Sequence, residues 1–429
     1  MVSRREFFGI SSLALAGTAC GTIGATDDAD EKLPPSIASL ESMRDQARPI
    51  TIEERQARIE RARELMRNNK LSAVMLTGGT SLNYFTNIRW GLSERLFAVV
   101  LPVSGRSFVV TPAFEEDRAR EQIDRGPLKG TADVLTWNEH ESPYDLVAGG
   151  LKKRGLATGR IGIEETVRFV FSDGVGAAAR AAHPVSATPV TAGCRSIKEP
   201  HEIELMRLAS KVTLKAYEAA YRALDEGMTQ NDFRGLVSAA HRKLGFSGGA
   251  GVQVGEFSAL PHGSVTPQVI TEGTILLIDG GCGVEGYRSD LSRTFVLGTP
   301  TDKMKKVFDI EFKAQTAALQ TARPGVECQA VDAAARKVIE DAGYGPGYKY
   351  FSHRVGHGMG MDGHEWPYLV KGNTLPLAPN MTFSDEPGIY IRGEFGVRLE
   401  DDMLITENGA ELLTPQSPSL EDPFGSMPA

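Results

Sequence analysis

The second half of this chain repeats itself at a fixed interval. Gly227-Met228 through Gly245-Phe246 aligns with Gly325-Val326 through Gly343-Tyr344 at a constant offset of 98 residues. Each unit reads as a helix, a turn, a second helix and a strand pair. Self-similarity of this kind marks a duplicated structural unit. It predicts two halves related by a pseudo-twofold axis, with a site where they meet.

The strand pairs carry the chemistry. In the first, Ile275-Leu276-Leu277-Ile278 runs into Asp279, and after a glycine-rich stretch Tyr287-Arg288-Ser289 runs into Asp290. A turn centred on Val284-Glu285 sets Asp279 opposite Asp290. Opposed side chains in an antiparallel pair have Cβ atoms about 5 Å apart. Carboxylates that close repel strongly unless cations lie between them, and hard divalent cations suit such oxygens. The second pair is Glu386-Pro387-Gly388-Ile389-Tyr390 with Val397-Arg398-Leu399-Glu400, where a turn centred on Gly393 sets Glu386 opposite Glu400. A lone acid at a turn is usually a cap. Four at matching places in two repeats can bridge a metal pair about 3.5 Å apart.

Between the two pairs lies Phe351 to Glu365, which holds three of the chain's eight histidines: His353, His357 and His364. Glycines on both sides of His357 allow close approach of backbone to a ligand, and His357 would complete a coordination sphere. A fourth histidine, His262, follows Leu260-Pro261. Cys282 lies near Asp279 but fits no ligand pattern and reads as a small core residue; Met359 and Met361 read as packing.

These motifs, in this order, resemble the pita-bread metallopeptidases, in particular the Xaa-Pro aminopeptidases and Xaa-Pro dipeptidases of peptidase family M24. The match rests on Asp279-Gly280-Gly281, Tyr287-Arg288-Ser289-Asp290, His357-Gly358-Met359-Gly360, Glu386-Pro387-Gly388 and Arg398-Leu399-Glu400-Asp401, within a span from about Thr51 to Pro415. The resemblance implies Asp279, Asp290, His357, Glu386 and Glu400 as ligands of two divalent ions, with manganese favoured and zinc or cobalt as alternatives. It implies substrate-handling roles for His262, His353 and His364, and an orienting role for Arg398. Water bridging two such ions is acidic enough to attack near neutrality, with Glu386 as proton acceptor and His364 beside the carbonyl oxygen. The implied substrate is a small peptide with Pro after its N-terminal residue. The same fold also hosts amidine hydrolases and a lyase of non-peptide molecules, and a catalytically silent metal binder is the alternative outside enzymes.

The implied fold is an α/β N-terminal creatinase-like domain followed by an α+β pita-bread catalytic domain, assembled as a homodimer or homotetramer. The boundaries expected are 51–194 for the first domain, 195–418 for the second and 419–429 for a tail. Thr51 and Glu54 form a capping box ahead of a helix marked by Ile59, Ala62, Leu65 and Met66. The apolar runs Ala73–Leu76, Phe97–Leu101 and Phe108–Val110 read as strands. Pro200 opens a helix expected to reach Gly227.

A net charge of −8, with no basic cluster interleaved with aromatics, excludes a nucleic-acid binder. The cysteines at 20, 194, 282 and 328 form no C-x-x-C pair, which argues against a zinc knuckle. The first 25 residues read as an export signal: Ser3-Arg4-Arg5-Glu6-Phe7-Phe8 resembles a twin-arginine motif, and Ile10 to Ala19 is too short to span a bilayer. Delivery to a bacterial periplasm is expected. The stretch before Cys20 loosely resembles a lipoprotein box, so membrane contact is expected only through the signal or a lipid there. Residues 26–50, acidic and Pro-bearing, read as a linker.

Overall fold

The computed structural model describes residues 33–425. The stretch read as an export signal and Cys20 lie outside them. Among the described residues no helix is long and apolar enough to cross a membrane.

The first domain is a six-stranded mixed sheet with helices around it. Its strands run in the spatial order Ala132–Trp137, Ser107–Pro112, Ala98–Pro102, Ala73–Leu76, Arg160–Ile163 and His183–Ser186. Three of them, Ala73–Leu76, Ala98–Pro102 and Ser107–Pro112, are buried along their whole length, as strands covered on both faces are. The helix Ile52–Asn68 starts at the expected capping box, with Thr51 Oγ1 accepting from Glu54 N–H and Glu54 Oε2 accepting from Thr51 N–H.

The second domain carries the duplication in its backbone. The helices Gln230–Lys243 and Cys328–Asp341 begin and end 98 residues apart. Each is preceded by a glycine with positive φ, Gly227 at 87° and Gly325 at 84°, a conformation that suits glycine. Each is followed by another, Gly245 at 92° and Gly343 at 91°. The closing hydrogen bonds repeat too: Phe246 N–H to His241 O and Tyr344 N–H to Ile339 O, both 3.0 Å. The strands Ser247–Val254, Ile275–Val284, Tyr287–Arg288 and Leu291–Val296 form one sheet, and a five-stranded sheet belongs to the other half. A backbone bridge between Ser292 and Glu400 joins the halves, with N–H···O distances of 3.3 and 3.2 Å.

Four expectations need correction. The first hairpin turns at Glu285-Gly286, both with positive φ (50° and 95°), and closes on the pair Val284–Tyr287. Two such residues make the tight turn that matches strand twist. The turn lies one residue later than expected, so Asp279 faces Ser292, and Asp290 lies two positions along the same strand direction. A two-residue slip preserves the face, and the carboxylates still converge. The helix from Pro200 ends at Tyr221 rather than Gly227, because its last turn tightens: Leu224 N–H bonds Tyr221 O, and Gly227 N–H turns to Ile270 O. The stretch read as a linker is anchored where it is described. Pro35–Ala38 is helical, Ile37 is fully buried, Ser36 Oγ donates to Ala219 O, and Met43 N–H bonds Leu244 O. The tail is also docked, with Leu420 and Phe424 buried and Val296 N–H bonded to Leu420 O. The second hairpin keeps its expected register: Asp385 pairs Asp401 and Gly388 pairs Arg398, so Glu386 and Glu400 fall opposite each other.

A buried ionic knot holds the domains together. Arg58, in the helix Ile52–Asn68, lies 3.1 Å from Glu199 and 3.4 Å from Glu202 of the second domain, donates to Tyr287 Oη at 3.0 Å, and stacks over the Tyr84 ring. Removing one partner of such a pair leaves a buried charge unmatched. Arg58→Met should therefore destabilise the protein by about 3–5 kcal/mol in denaturant unfolding. A loss under about 1 kcal/mol would show that water or rearrangement compensates Glu202.

Candidate metal centre

His357 sits in the short strand Gly356–Gly358, paired with Tyr368. Its neighbours have to be glycine: a Cβ on Gly356 would lie 2.0 Å from Ser384 O, and one on Gly358 would lie 2.7 Å from Glu365 O. His357 Nδ1 lies 3.1 Å from Gly358 O, and a carbonyl only accepts, so Nδ1 carries the proton. Nε2 is thereby left as the free donor atom for a metal. It faces Glu386 Oε1 at 3.2 Å.

One cavity of about 150 Å3 is lined by every residue the sequence singled out: His262, Asp279, Asp290, His353, His357, His364, Glu386, Arg398 and Glu400. Pro261 and Arg354 complete its wall. Three sets of ligand atoms lie within 4.8 Å of one another: Asp279, Asp290 and Glu400; His357, Glu386 and Glu400; and Asp290, His357 and His364. The first two sets share Glu400. One is all oxygen and the other mixes oxygen with imidazole nitrogen, which is what a pair of borderline-hard divalent ions would accept.

The electrostatics point the same way. Burial and repulsion from Asp279 and Glu386 hold Asp290 well above the usual carboxylate range. Burial and repulsion from Asp290, Glu386 and Asp279 do the same to Glu400. Burial also raises Glu386, but His357, His353 and Arg398 outweigh it and bring that carboxyl to about 2. Within the protein the main counter-charge is Arg398. Its Nη2 is 2.7 Å from Asp279, its Nε donates to Ser292 Oγ at 3.0 Å, and its Nη1 donates to Tyr390 Oη at 3.0 Å and Pro261 O at 3.2 Å.

His353 is more than packing. Its Nδ1 donates to Arg354 O at 2.8 Å, so Nε2 accepts from Tyr390 Oη at 2.7 Å, which links it through Tyr390 to Arg398. His364 stacks on His357 with ring centroids 3.7 Å apart. Burial, His357 and Arg354 lower its pKa, which keeps it neutral and able to donate. The sequence reading missed four groups. Tyr390 and Ser292 were findable, since each lies an even number of strand positions from a named acid and so shares its face. Arg354 and Asp402 were not. Asp402 accepts from Asp290 N–H at 3.2 Å and from Ser210 Oγ at 2.6 Å, a contact across the seam that only the fold creates.

Comparison with known proteins agrees with this geometry. Residues 204–407 match metallopeptidase family M24, and residues 58–197 match the creatinase/prolidase N-terminal domain. A probable dipeptidase PepE of Mycobacterium tuberculosis is 36% identical over 344 residues, covering 79% of this chain and 89% of that protein. An Xaa-Pro dipeptidase of Lactobacillus helveticus is 30% identical over 364 residues, covering 83% and 96%. The chain belongs to metallopeptidase family M24. Among solved M24 relatives, dipeptidase PepE from Mycobacterium ulcerans superposes with a TM-score of 0.81 at 32% identity, over 87% of this chain and 99% of that one. A prolidase from Thermococcus sibiricus gives 0.76 at 28%, over 86% and 98%.

The crowded M24 acids make stability depend on pH when metal is removed. Asp402, raised from 3.8 to about 8 by burial, binds its proton more tightly folded than unfolded. Such a group stabilises the fold below its unfolded pKa and loses that contribution as pH rises through the folded value. Asp290 and Glu400 act in the same direction. Glu386 acts oppositely, but only between 4.5 and about 2. Chelator-stripped protein should therefore lose several degrees of Tm between about pH 5 and pH 8, and added Mn2+ should restore it. A flat profile in stripped protein would contradict this account.

Proposed function

We propose that this enzyme is a dinuclear-metal peptidase that cleaves X-Pro bonds, with dipeptides as its preferred substrates. The observation that carries the reading is the convergence of Asp279, Asp290, His357, Glu386 and Glu400 on one cavity with His262, His364 and Arg398 around it. The names of relatives, Xaa-Pro dipeptidase and prolidase, support the substrate class.

Asp279, Asp290, His357, Glu386 and Glu400 would hold the two ions, manganese being favoured by the oxygen-rich donor set. When bound, such ions acidify water and withdraw charge from a carbonyl. Glu386, ionised across the neutral range, takes the proton from the attacking water and passes it to the departing proline nitrogen. His364 donates to the carbonyl oxygen as charge builds there. Arg398, fixed by Asp279, Ser292 and Tyr390, orients Asp279 and steadies the proline end together with His262. His353 acts through Tyr390 on the same arginine.

Export by the twin-arginine route to a periplasm is part of the proposal, as is a homo-oligomeric assembly. Twin-arginine transport carries folded proteins, which suits an enzyme loaded with metal in the cytoplasm. Replacing Arg4 and Arg5 by Lys should retain the protein in the cytoplasm, as followed by cell fractionation; unchanged delivery would rule that route out.

The direct test is turnover of Ala-Pro, Gly-Pro and longer X-Pro peptides by manganese-loaded enzyme. Dipeptide cleavage is expected to dominate; preference for longer peptides would make the enzyme an aminopeptidase, and none at all would refute the reading. Asp290→Ala should lose most activity and one metal per chain by elemental analysis. His364→Ala should keep both metals and its KM but lose about 10–10³ in kcat. Normal kcat would reduce His364 to packing, while metal loss would make it a ligand.

A further inference from the structure

A second chamber of about 290 Å3 opens beside the metal centre, and His364 lines both. Its walls come from two domains: Glu165 and Arg195 from the N-terminal side, Asp362, Glu365, Trp366 and Tyr368 from the catalytic side. Nothing in the reaction as described uses it.

Arg195 pairs with Asp362 at 2.6 Å and with Glu365, and Lys198 lies 3.6 Å from the other Glu365 oxygen. Those two cations match Asp362 and Glu365, whereas Glu165 makes no ion pair among the described residues. Glu165 is exposed at the chamber, with Oε2 accepting from Thr191 Oγ1 at 2.7 Å. Deeper in, Glu365 is only 7% exposed and its Oε2 has no hydrogen-bond partner among the described residues. Trp366 is 38% exposed and offers an aromatic face, whereas the Tyr368 ring already carries Arg354 at 4.2 Å. An indole and a carboxylate without an ion pair in one chamber recognise a cation carried on an apolar stem.

The roles proposed above for His364, His262 and Arg398 say which part of a substrate would reach it. With the scissile carbonyl oxygen beside His364, the proline ring would lie toward His262 and Arg398. The residue before the bond is attached directly to that carbonyl, so its side chain passes His364 on the other side.

We propose that this chamber is the subsite for the side chain of X in an X-Pro substrate, and that it selects lysine and arginine, with Trp366 holding the stem and Glu165 the charge. The proposal rests on the X-Pro reading above.

The test measures kcat/KM of manganese-loaded full-length enzyme on Lys-Pro, Met-Pro, Glu-Pro and Ala-Pro. Met supplies an unbranched neutral side chain of similar reach. Lys-Pro should exceed Met-Pro by about tenfold, in line with a cation held against indole and carboxylate. Glu165→Gln should cut that ratio by about two- to fivefold, the worth of an exposed ion pair. Glu165→Lys should cut it further and raise Glu-Pro turnover. Ala-Pro turnover should stay unchanged in both variants, which shows that the fold and the metal centre are intact. Equal rates on Lys-Pro and Met-Pro, or a ratio indifferent to both Glu165 variants, would overturn the subsite while Ala-Pro cleavage keeps the X-Pro reading. Failure to cleave any of the four would overturn both.

Discussion

Like charges crowded out of water are the constraint around which the catalytic domain is arranged. Asp290, Glu386 and Glu400 converge with Asp279 at the seam between two half-domains, and behind them Asp385, Asp401, Asp402 and Glu311 are all fully buried. A carboxylate in such a place is tolerated only when neutral, paired or metal-bound. The protein supplies two buried guanidinium groups. Arg398 faces the cavity and pairs with Asp279, while Arg293 sits behind it, 2.7 Å from Asp401 and donating to Glu400 O at 2.8 Å. Two arginines against this many acids leave a deficit of positive charge. Divalent cations held at the seam would fill it, which would make the metal a structural partner of the fold as much as a reagent.

The duplication explains why the acids meet there. Each half presents the same device, a hairpin carrying acids on one face, and the Ser292–Glu400 bridge joins the hairpins. Ser292 Oγ then reaches Glu400 Oε2 at 2.6 Å, and Asp402 of one half holds the Asp290 backbone of the other. The first half supplies only Asp279 and Asp290, and two of the three ligand sets draw on both halves. The site therefore exists only when both are docked, which ties ligand geometry to global stability rather than to a loop that fluctuates independently.

Much of this was legible in the sequence because it depends on local rules. Period-2 alternation and a glycine turn put Glu386 opposite Glu400 correctly, and the capping box at Thr51 and Glu54 formed as read. The first hairpin slipped because the position of a tight turn depends on which residues take positive φ, and Glu285 is not an obvious candidate beside so many glycines. Ile37, Met43, Leu420 and Phe424 sit in polar, Pro-bearing stretches, so composition hid their role as anchors. The Arg58 knot, the Asp402 contact and the second chamber arise between segments far apart in sequence, where spacing carries no information.

The division between centre and chamber has a physical logic of its own. The metal-centre acids lie in or beside paired strands, where a shift of one residue would turn a carboxylate away from the cavity. Such positions cannot be varied without losing the chemistry. The chamber beside it is framed by Glu165, from a loop of the other domain, and by Trp366, partly open to solvent. Neither is needed for the fold around Glu400 and Asp290. A side chain can be exchanged there at the small cost typical of exposed sites, altering which X is accepted while the hydrolytic apparatus stays as it is. Specificity then sits where the chain is free to change and catalysis where it is not, on opposite sides of His364.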